Sequence, residues 1–168
     1  MKKFEKTSGK KTLTIIIDEK SMLDELNKDI QAFTDLIKSY DEYKAKLDPS
    51  ETPKTPSEYY KDFVYDYDMQ SVYEDVDSWV KPEDIIKDLN EFKDIITKSV
   101  ESDGSKLWDK IVLKKNGTFN KTCKPTLKEA TNGCYWDDSY GWNTRVLRLV
   151  AHDDVTVHMQ LDEIVLHY

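Results

Sequence analysis

Metal-dependent hydrolysis is the first chemistry to consider. Its candidate ligands are a carboxylate at the end of one apolar segment and several carboxylates along a later acidic stretch. Asp18 closes the run "KTLTIIID", and several metal-dependent nucleases and phosphatases place a first carboxylate at such a strand end. Further carboxylates would have to converge there, and the residues that could do so are Asp66, Asp68, Asp75 and Asp77. Nothing in their spacing requires this, and Asp18 is equally suited to cap a following helix. We therefore expect capping, with no catalytic residue, bound metal or cofactor.

Three histidines are the next candidates. In the strand register derived below, His158 lies beside His167 on the neighbouring strand, with Arg148 on the other side. Two cross-strand histidines can share a metal or act as a pH switch, but a nearby guanidinium disfavours a second cation. We expect a solvated polar face. His152 falls in a loop with Asp153 and Asp154, and we assign it no role.

The two cysteines, Cys123 and Cys134, do not form a disulfide framework. We expect the free thiols of a cytoplasmic protein, with a single bridge as the alternative. No signature of a catalytic cysteine surrounds Cys134, although a cysteine and a histidine can together form a nucleophile. The start of the chain has no apolar run of signal-peptide length.

The stretch "DFVYDYDMQSVYEDVDSWV", residues 62–80, combines six acids and five aromatic residues with no Lys or Arg. Tyr and Trp are typical anchors of protein interfaces, and carboxylates in series can imitate a phosphate backbone. The alternative is a solvated acidic surface whose rings are buried. The predicted partner-binding residues are Tyr65, Asp66, Tyr67, Asp68, Tyr73, Glu74, Asp75, Asp77 and Trp79.

Charge is distributed unevenly along a chain of 168 residues whose formal net charge is −8. Residues 1–17 carry +4 and residues 106–128 carry +6, whereas residues 62–105 carry −9. In the basic segment, Lys110, Lys114 and Lys115 lie near Trp108 and Phe119, a combination that can bind single strands. The net charge opposes this, so we expect no direct nucleic-acid contact and a basic protein as the partner.

The helical elements follow from apolar spacing and capping residues. Apolar residues on an a/d seam predict a helix over about 20–46, and "KPEDIIKDLNEFKDIITKSVESDG" predicts a second that begins at Pro82 and ends at Gly104. Residues 48–56 form a breaker-rich loop, and "TPSE" at 55–58 has the pattern of a capping box. Residues 1–11 are expected to form a flexible basic tail.

The remaining elements are predicted to be strands. Residues 11–18 form one strand, and a hairpin turns at Asn116-Gly117. "GCYWDDSYGW" forms an aromatic loop. A three-strand meander follows, with turns at 152–154 and 162–163. Its apolar face is predicted to comprise Leu147, Leu149, Val157, Met159, Leu161, Ile164, Leu166 and Tyr168. The predicted fold class is α+β: one domain, 1–168, with an antiparallel sheet packed against two longer amphipathic helices and short helical segments.

In composition the chain resembles the small acidic inhibitors that phages and mobile elements direct at host nucleases and at restriction or CRISPR systems. Immunity proteins that neutralise a basic toxin have a similar charge. This resemblance implies a non-catalytic inhibitor that blocks a basic nucleic-acid-handling protein, through nucleic-acid mimicry. Two alternatives remain: a metal-dependent hydrolase or nuclease that uses Asp18 and the 66–77 carboxylates, and an assembly protein that oligomerises through its helical seams.

Overall fold

The computed structural model describes residues 1–56, 58–59, 81–136 and 140–167. Its helices are α1 (Glu19–Ala45), α2 (Pro82–Glu101) and α3 (Ser105–Asp109). Its strands are β1 (Lys2–Ser8), β2 (Lys11–Ile17), β3 (Thr126–Trp136), β4 (Tyr140–Ala151) and β5 (Thr156–His167). The chain divides into two compact units. Unit 1 comprises Met1–Leu26, Glu91–Glu129 and Val146–Asp162, and unit 2 comprises Asn27–Asn90, Ala130–Arg145 and Glu163–Tyr168.

The five strands form one curled sheet in the order β1-β2-β5-β4-β3. The predicted α+β class is confirmed. Strands β1 and β2 pair antiparallel from Lys2↔Ile17 to Ser8↔Lys11. Strands β2 and β5 pair parallel, with Ile15 opposite Val157, so the sheet is mixed rather than antiparallel throughout. A parallel pair needs a long crossover connection, and here the chain between β2 and β5 supplies it.

Strand β1 replaces the predicted flexible tail. Lysines occupy three of its seven positions, and Phe4 is its one buried residue, 8% exposed. Phe4 lies opposite Ile15 in the hairpin and packs against Gly104. The sequence pattern does not predict β1, because a single apolar residue has too little periodicity to indicate a strand. Lysines on an edge strand also guard it against pairing with another chain.

Both predicted long helices are confirmed. α1 begins after Asp18, whose side chain accepts the Ser21 N–H (3.3 Å), as expected of an N-cap. α2 begins at Pro82 and has acids in its first turn. The seam of α2 is buried, with Ile85, Leu89, Phe92 and Ile96 at most 1% exposed. The seam of α2 is therefore part of the core of the chain.

The loop at 48–56 is attached to α1 by tyrosines, all within unit 2. Tyr40 donates its hydroxyl to the carbonyl of Lys54 (2.7 Å), and the Lys54 N–H donates to the Tyr43 hydroxyl (3.1 Å). Tyr59 stacks on Tyr43 with ring centroids 5.0 Å apart. At the end of the loop Thr55 Oγ1 accepts the Glu58 N–H (3.3 Å), which confirms the N-cap of the predicted capping box.

Three predictions for the β-rich half are wrong in part. Residues 105–109 form α3, so the predicted hairpin around Gly117 shrinks to one bridge, Leu113↔Phe119. Gly117 has φ +81°, as its turn requires. The predicted aromatic loop lies largely in β3 and β4, with 137–139 outside the described residues. β5 continues through Asp162 and Glu163, so the meander has two strands, because a polar pair on a half-exposed strand need not form a turn.

The predicted apolar face is confirmed only in part. Leu147, Leu149, Val157 and Met159 are at most 4% exposed. Leu161 and Ile164 are half-buried, and because β5 makes no turn at 162–163, Ile164 lies at an alternate position to Val157 and Met159. Leu13, Ile15 and Ile17 alternate along β2 and are fully buried. The intervening positions of the parallel pair, among them Ile16 and His158, point to the opposite face and are half-buried. That second, polar face carries the only histidine cluster in the described part of unit 1.

Candidate functional site

The nine predicted partner-binding residues, from Tyr65 to Trp79, lie outside the described residues. The described parts of unit 2 also carry exposed acids. They occur on α1, on the 48–56 loop and on the first turn of α2: Asp35, Asp41, Glu42, Asp48, Glu51, Glu83 and Asp84. Asp48 accepts the backbone N–H of Ser50 (3.0 Å), which lowers the pKa of its carboxyl and keeps it ionised.

The net negative charge of the chain comes from unit 2. Its ranges contain nineteen acids and nine basic residues, a net charge of −10. The ranges of unit 1 contain fourteen acids and sixteen basic residues, a net charge of +2. The two sum to the −8 of the whole chain. The net charge of the whole chain is therefore not that of either unit.

Asp18 has the role of a helix cap, and its carboxylate already accepts the Ser21 N–H. The carboxylates that a metal-dependent hydrolase would add, Asp66, Asp68, Asp75 and Asp77, lie outside the described residues. Among the residues that the structure does describe, no group of three or more His, Cys, Asp or Glu side chains could hold a metal ion.

The predicted neighbours His158 and His167 are not neighbours, because both lie in β5, nine positions apart. His158 instead lies against His152, with ring centroids 4.1 Å apart and planes inclined by 40°. His152 precedes the turn between β4 and β5, and its N–H donates to the carbonyl of Thr156 (3.0 Å). The signal that could have found this pair is the diagonal neighbour relation across a hairpin, two residues beyond the directly opposite position.

A chain of hydrogen bonds runs from this pair along the polar face. Gln160 donates its amide N–H to Asp162 Oδ1 (2.7 Å), so its carbonyl oxygen faces His152 Nε2 (3.1 Å). His152 is therefore protonated on Nε2, which leaves Nδ1 as the acceptor when the ring is neutral. Arg148 Nε donates to Asp162 Oδ2 (2.7 Å). The guanidinium predicted near the histidines is present, but its charge is neutralised by Asp162.

The environment of His158 favours the neutral form of its ring. Burial lowers the pKa of His158, and the neighbouring His152 lowers it further, while the charge of Asp153 acts in the opposite direction. Asp153 itself accepts the Val155 N–H (2.9 Å), which lowers the pKa of that carboxyl. The arrangement can take up a proton on acidification.

Cys123 is a free, half-buried thiol. It borders a small pocket with Val112, Phe119, Pro125 and Leu149. The volume of that pocket is about 10 Å³. A cavity that holds a single water molecule needs roughly 10–15 Å³ on the same scale. The pocket is too small for a substrate, and no histidine lines it. Cys134 lies in β3.

The aromatic residues of the lysine-rich segment are not an exposed stacking platform. Phe119 is 1% exposed and Trp108 stacks on it, with ring centroids 6.2 Å apart. Lys6 Nζ lies 5.7 Å from the centre of the Trp108 ring. Lys110, Lys114 and Lys115 are exposed. The predicted combination of rings and lysines is thus divided between the core and the surface.

Comparison with protein-family models, with curated proteins and with solved structures finds no match for this chain. None of the helices in the described ranges is both long enough and apolar enough to cross a membrane. The function therefore has to be argued from charge and geometry.

Proposed function

We propose that the protein acts by binding another protein: it inhibits a basic nucleic-acid-handling partner, such as a nuclease, by occupying its nucleic-acid-binding surface. The observation that supports this is the concentration of charge in unit 2, where the net charge is −10 although the whole chain has −8. A compact, strongly negative unit attracts a basic surface at long range and raises the association rate.

The acids involved fall into two groups. The first is the stretch 62–80, which contributes six carboxylates and four of the proposed anchors, Tyr65, Tyr67, Tyr73 and Trp79. The second is the first turn of α2, where Glu83 and Asp84 are exposed. Carboxylates in series take the place of phosphates, and rigid aromatic side chains supply the contact area that holds the complex together.

In this proposal the protein belongs to the same functional class as the anti-defence inhibitors and immunity proteins that it resembles in composition. No enzymatic step is part of the proposal. The partner loses activity because its substrate and the inhibitor compete for one basic surface. Raised salt weakens the complex, because screening reduces the attraction between exposed charges.

The test is affinity capture with three baits, from lysates of the source organism and of any host it infects. The first bait is the wild type, and the second carries D66N, D68N, E74Q and D77N. The third removes the same charge from exposed acids of unit 1 through E5Q, D94N, D109N and E129Q. We expect a basic nucleic-acid-binding protein on the first and third baits only, eluted by salt and inhibited in its own activity by added wild type.

Two results would contradict the proposal. If the unit 2 variant retains the same partner with the same salt dependence, the acids of 62–80 are a solvated surface. If the captured protein keeps full activity with saturating wild type, the complex is not inhibitory. Both outcomes concern unit 2 and leave the basic residues of unit 1 untouched.

A further inference from the structure

Two lysine-rich turns that are far apart in the sequence lie together in unit 1. Ser8, at the end of β1, donates its hydroxyl to the carbonyl of Gly117 (2.9 Å). A Cβ added to Gly117 would come within 2.5 Å of that hydroxyl oxygen, so the two turns are in close contact. The β1–β2 turn thereby lies against the turn at 114–117. The basic segments 1–17 and 106–128, which the sequence presents separately, meet at this point.

Four lysines lie in or directly beside the two turns. We name them the lysine surface: Lys10, Lys11, Lys114 and Lys115. All four are exposed. Lys11 pairs with Ser8 in the hairpin, and paired residues point to the same side of a sheet, so Lys11 shares the face that the second turn contacts. Within the described residues none of the four forms an ion pair, whereas the nearby Lys121 is paired with Asp154 (3.5 Å).

We propose that the lysine surface binds the phosphate backbone of nucleic acid. The net charge of the chain was the reason to expect no such contact. That reason does not hold for unit 1, because its net charge is +2 and four of its basic residues meet at one place. Lysine ammonium groups bind phosphates as point charges and require no particular base sequence.

The surroundings of the lysine surface favour nucleic acid over an acidic protein. Protein interfaces rely on aromatic anchors and are depleted in lysine. Here the two rings of the segment are unavailable, since Phe119 is buried and Trp108 lies beneath Lys6. The same geometry excludes base stacking by these two rings, so we expect binding to the backbone of a duplex, without sequence preference.

The test uses fluorescence anisotropy with a short labelled DNA duplex, its single strand, and an RNA duplex. Four phosphate contacts give a slope of log affinity against log salt of about −3.6. Affinity should therefore fall about 150-fold between about 50 and about 200 mM salt. The variant K10Q/K11Q/K114Q/K115Q should lose nearly all binding and most of this slope. The control K28Q/K38Q/K46Q/K87Q makes the same charge change at exposed lysines of unit 2 and should keep most of the wild-type affinity and salt slope.

Both variants should keep the fold, because every substituted side chain is exposed. Circular dichroism and thermal unfolding check this. The proposal is overturned if the wild type fails to bind any of the three nucleic acids at low salt. It is also overturned if the control variant weakens binding as much as the lysine-surface variant does. Retention of the wild type on immobilised polyglutamate, without binding to any nucleic acid, would assign the surface to an acidic protein instead. None of these results depends on the proposed inhibition of a basic partner.

Discussion

The imidazole rings of His152 and His158 lie 4.1 Å apart, centre to centre, on the polar face of the sheet. Burial lowers the pKa of His158, and the closeness of the His152 ring lowers it further. His152 is further held by Gln160, and Gln160 by Asp162, which also binds Arg148. These side-chain hydrogen bonds link the turn between β4 and β5 to the middle of both strands, in addition to the backbone bonds of the sheet.

Acidification should destabilise the protein through this pair. The pKa of His158 in the folded chain lies below its ordinary value of 6.5. Between those two values the unfolded chain binds more protons than the folded chain, so the free energy of unfolding decreases as the pH falls through this window. In the variant H158Q the decrease between about pH 8 and about pH 5 should be smaller. Thermal or urea unfolding at several pH values measures this.

The variant H152Q separates the causes of that shift. It removes the positive charge of His152, which is the second cause of the low His158 pKa after burial. The pKa of His158 should therefore rise toward 6.5 without reaching it, because burial remains. Titration of the His158 ring protons by NMR gives the value directly. A His158 pKa that does not change in H152Q would mean that the two rings do not interact electrostatically.

Gly104 should tolerate no side chain. Its φ is +81°, and an added Cβ would lie 2.6 Å from Cδ1 of Phe4. G104A should lower the free energy of unfolding by about 2–4 kcal/mol, through backbone strain and through displacement of a buried ring. Gly9 offers a matched control, because its φ is +60° and an added Cβ would meet nothing within 4 Å. G9A should cost only about 1 kcal/mol; equal losses in urea unfolding would show that Phe4 is not the obstacle.

The fold was predictable wherever local signals and tertiary packing agree. The spacing of Leu89, Phe92 and Ile96 predicted α2 because the seam that forms the helix is also the seam that it buries. Asp18 and Thr55 were predicted as caps because a cap needs only its own neighbours. In these elements a window of a few residues contains the whole physical cause.

The errors occur where a distant residue decides the structure. Phe4 makes β1 a strand by packing on Gly104, a hundred positions away. The Ser8–Gly117 bond brings together two basic turns that are 109 positions apart, so the lysine surface is a product of a long-range contact. His152 and His158 are close in the sequence, and their contact depends on the register of the β4–β5 hairpin. The partner-binding stretch was chosen from composition and remains a prediction.

The ion pair between Arg148 and Asp162 should contribute measurably to stability, in contrast to surface pairs. Arg148 Nε lies 2.7 Å from Asp162 Oδ2, and the two side chains are 23% and 20% exposed. Lys20 and Asp24 lie 3.5 Å apart on α1 with side chains 90% and 60% exposed. A double-mutant cycle with R148M and D162N should give a coupling energy of about 1–2 kcal/mol, because partial burial reduces screening and each partner is hydrogen-bonded. The cycle with K20M and D24N should give about 0–0.5 kcal/mol.

Anchoring of the 48–56 loop by Tyr40 should be visible as local protection of the loop as well as in global stability. The Tyr40 hydroxyl donates to the carbonyl of Lys54, while its ring packs against Tyr59 with centroids 5.1 Å apart. Y40F keeps the ring contact and removes the bond, so the free energy of unfolding should fall by about 1 kcal/mol. Amide exchange and proteolysis within the loop should rise more than in α2, because loops open locally before the core does. S50A, which leaves the Tyr40 contact intact, is the control for the loop. Equal exchange in Y40F and wild type would mean that ring packing alone holds the loop on α1.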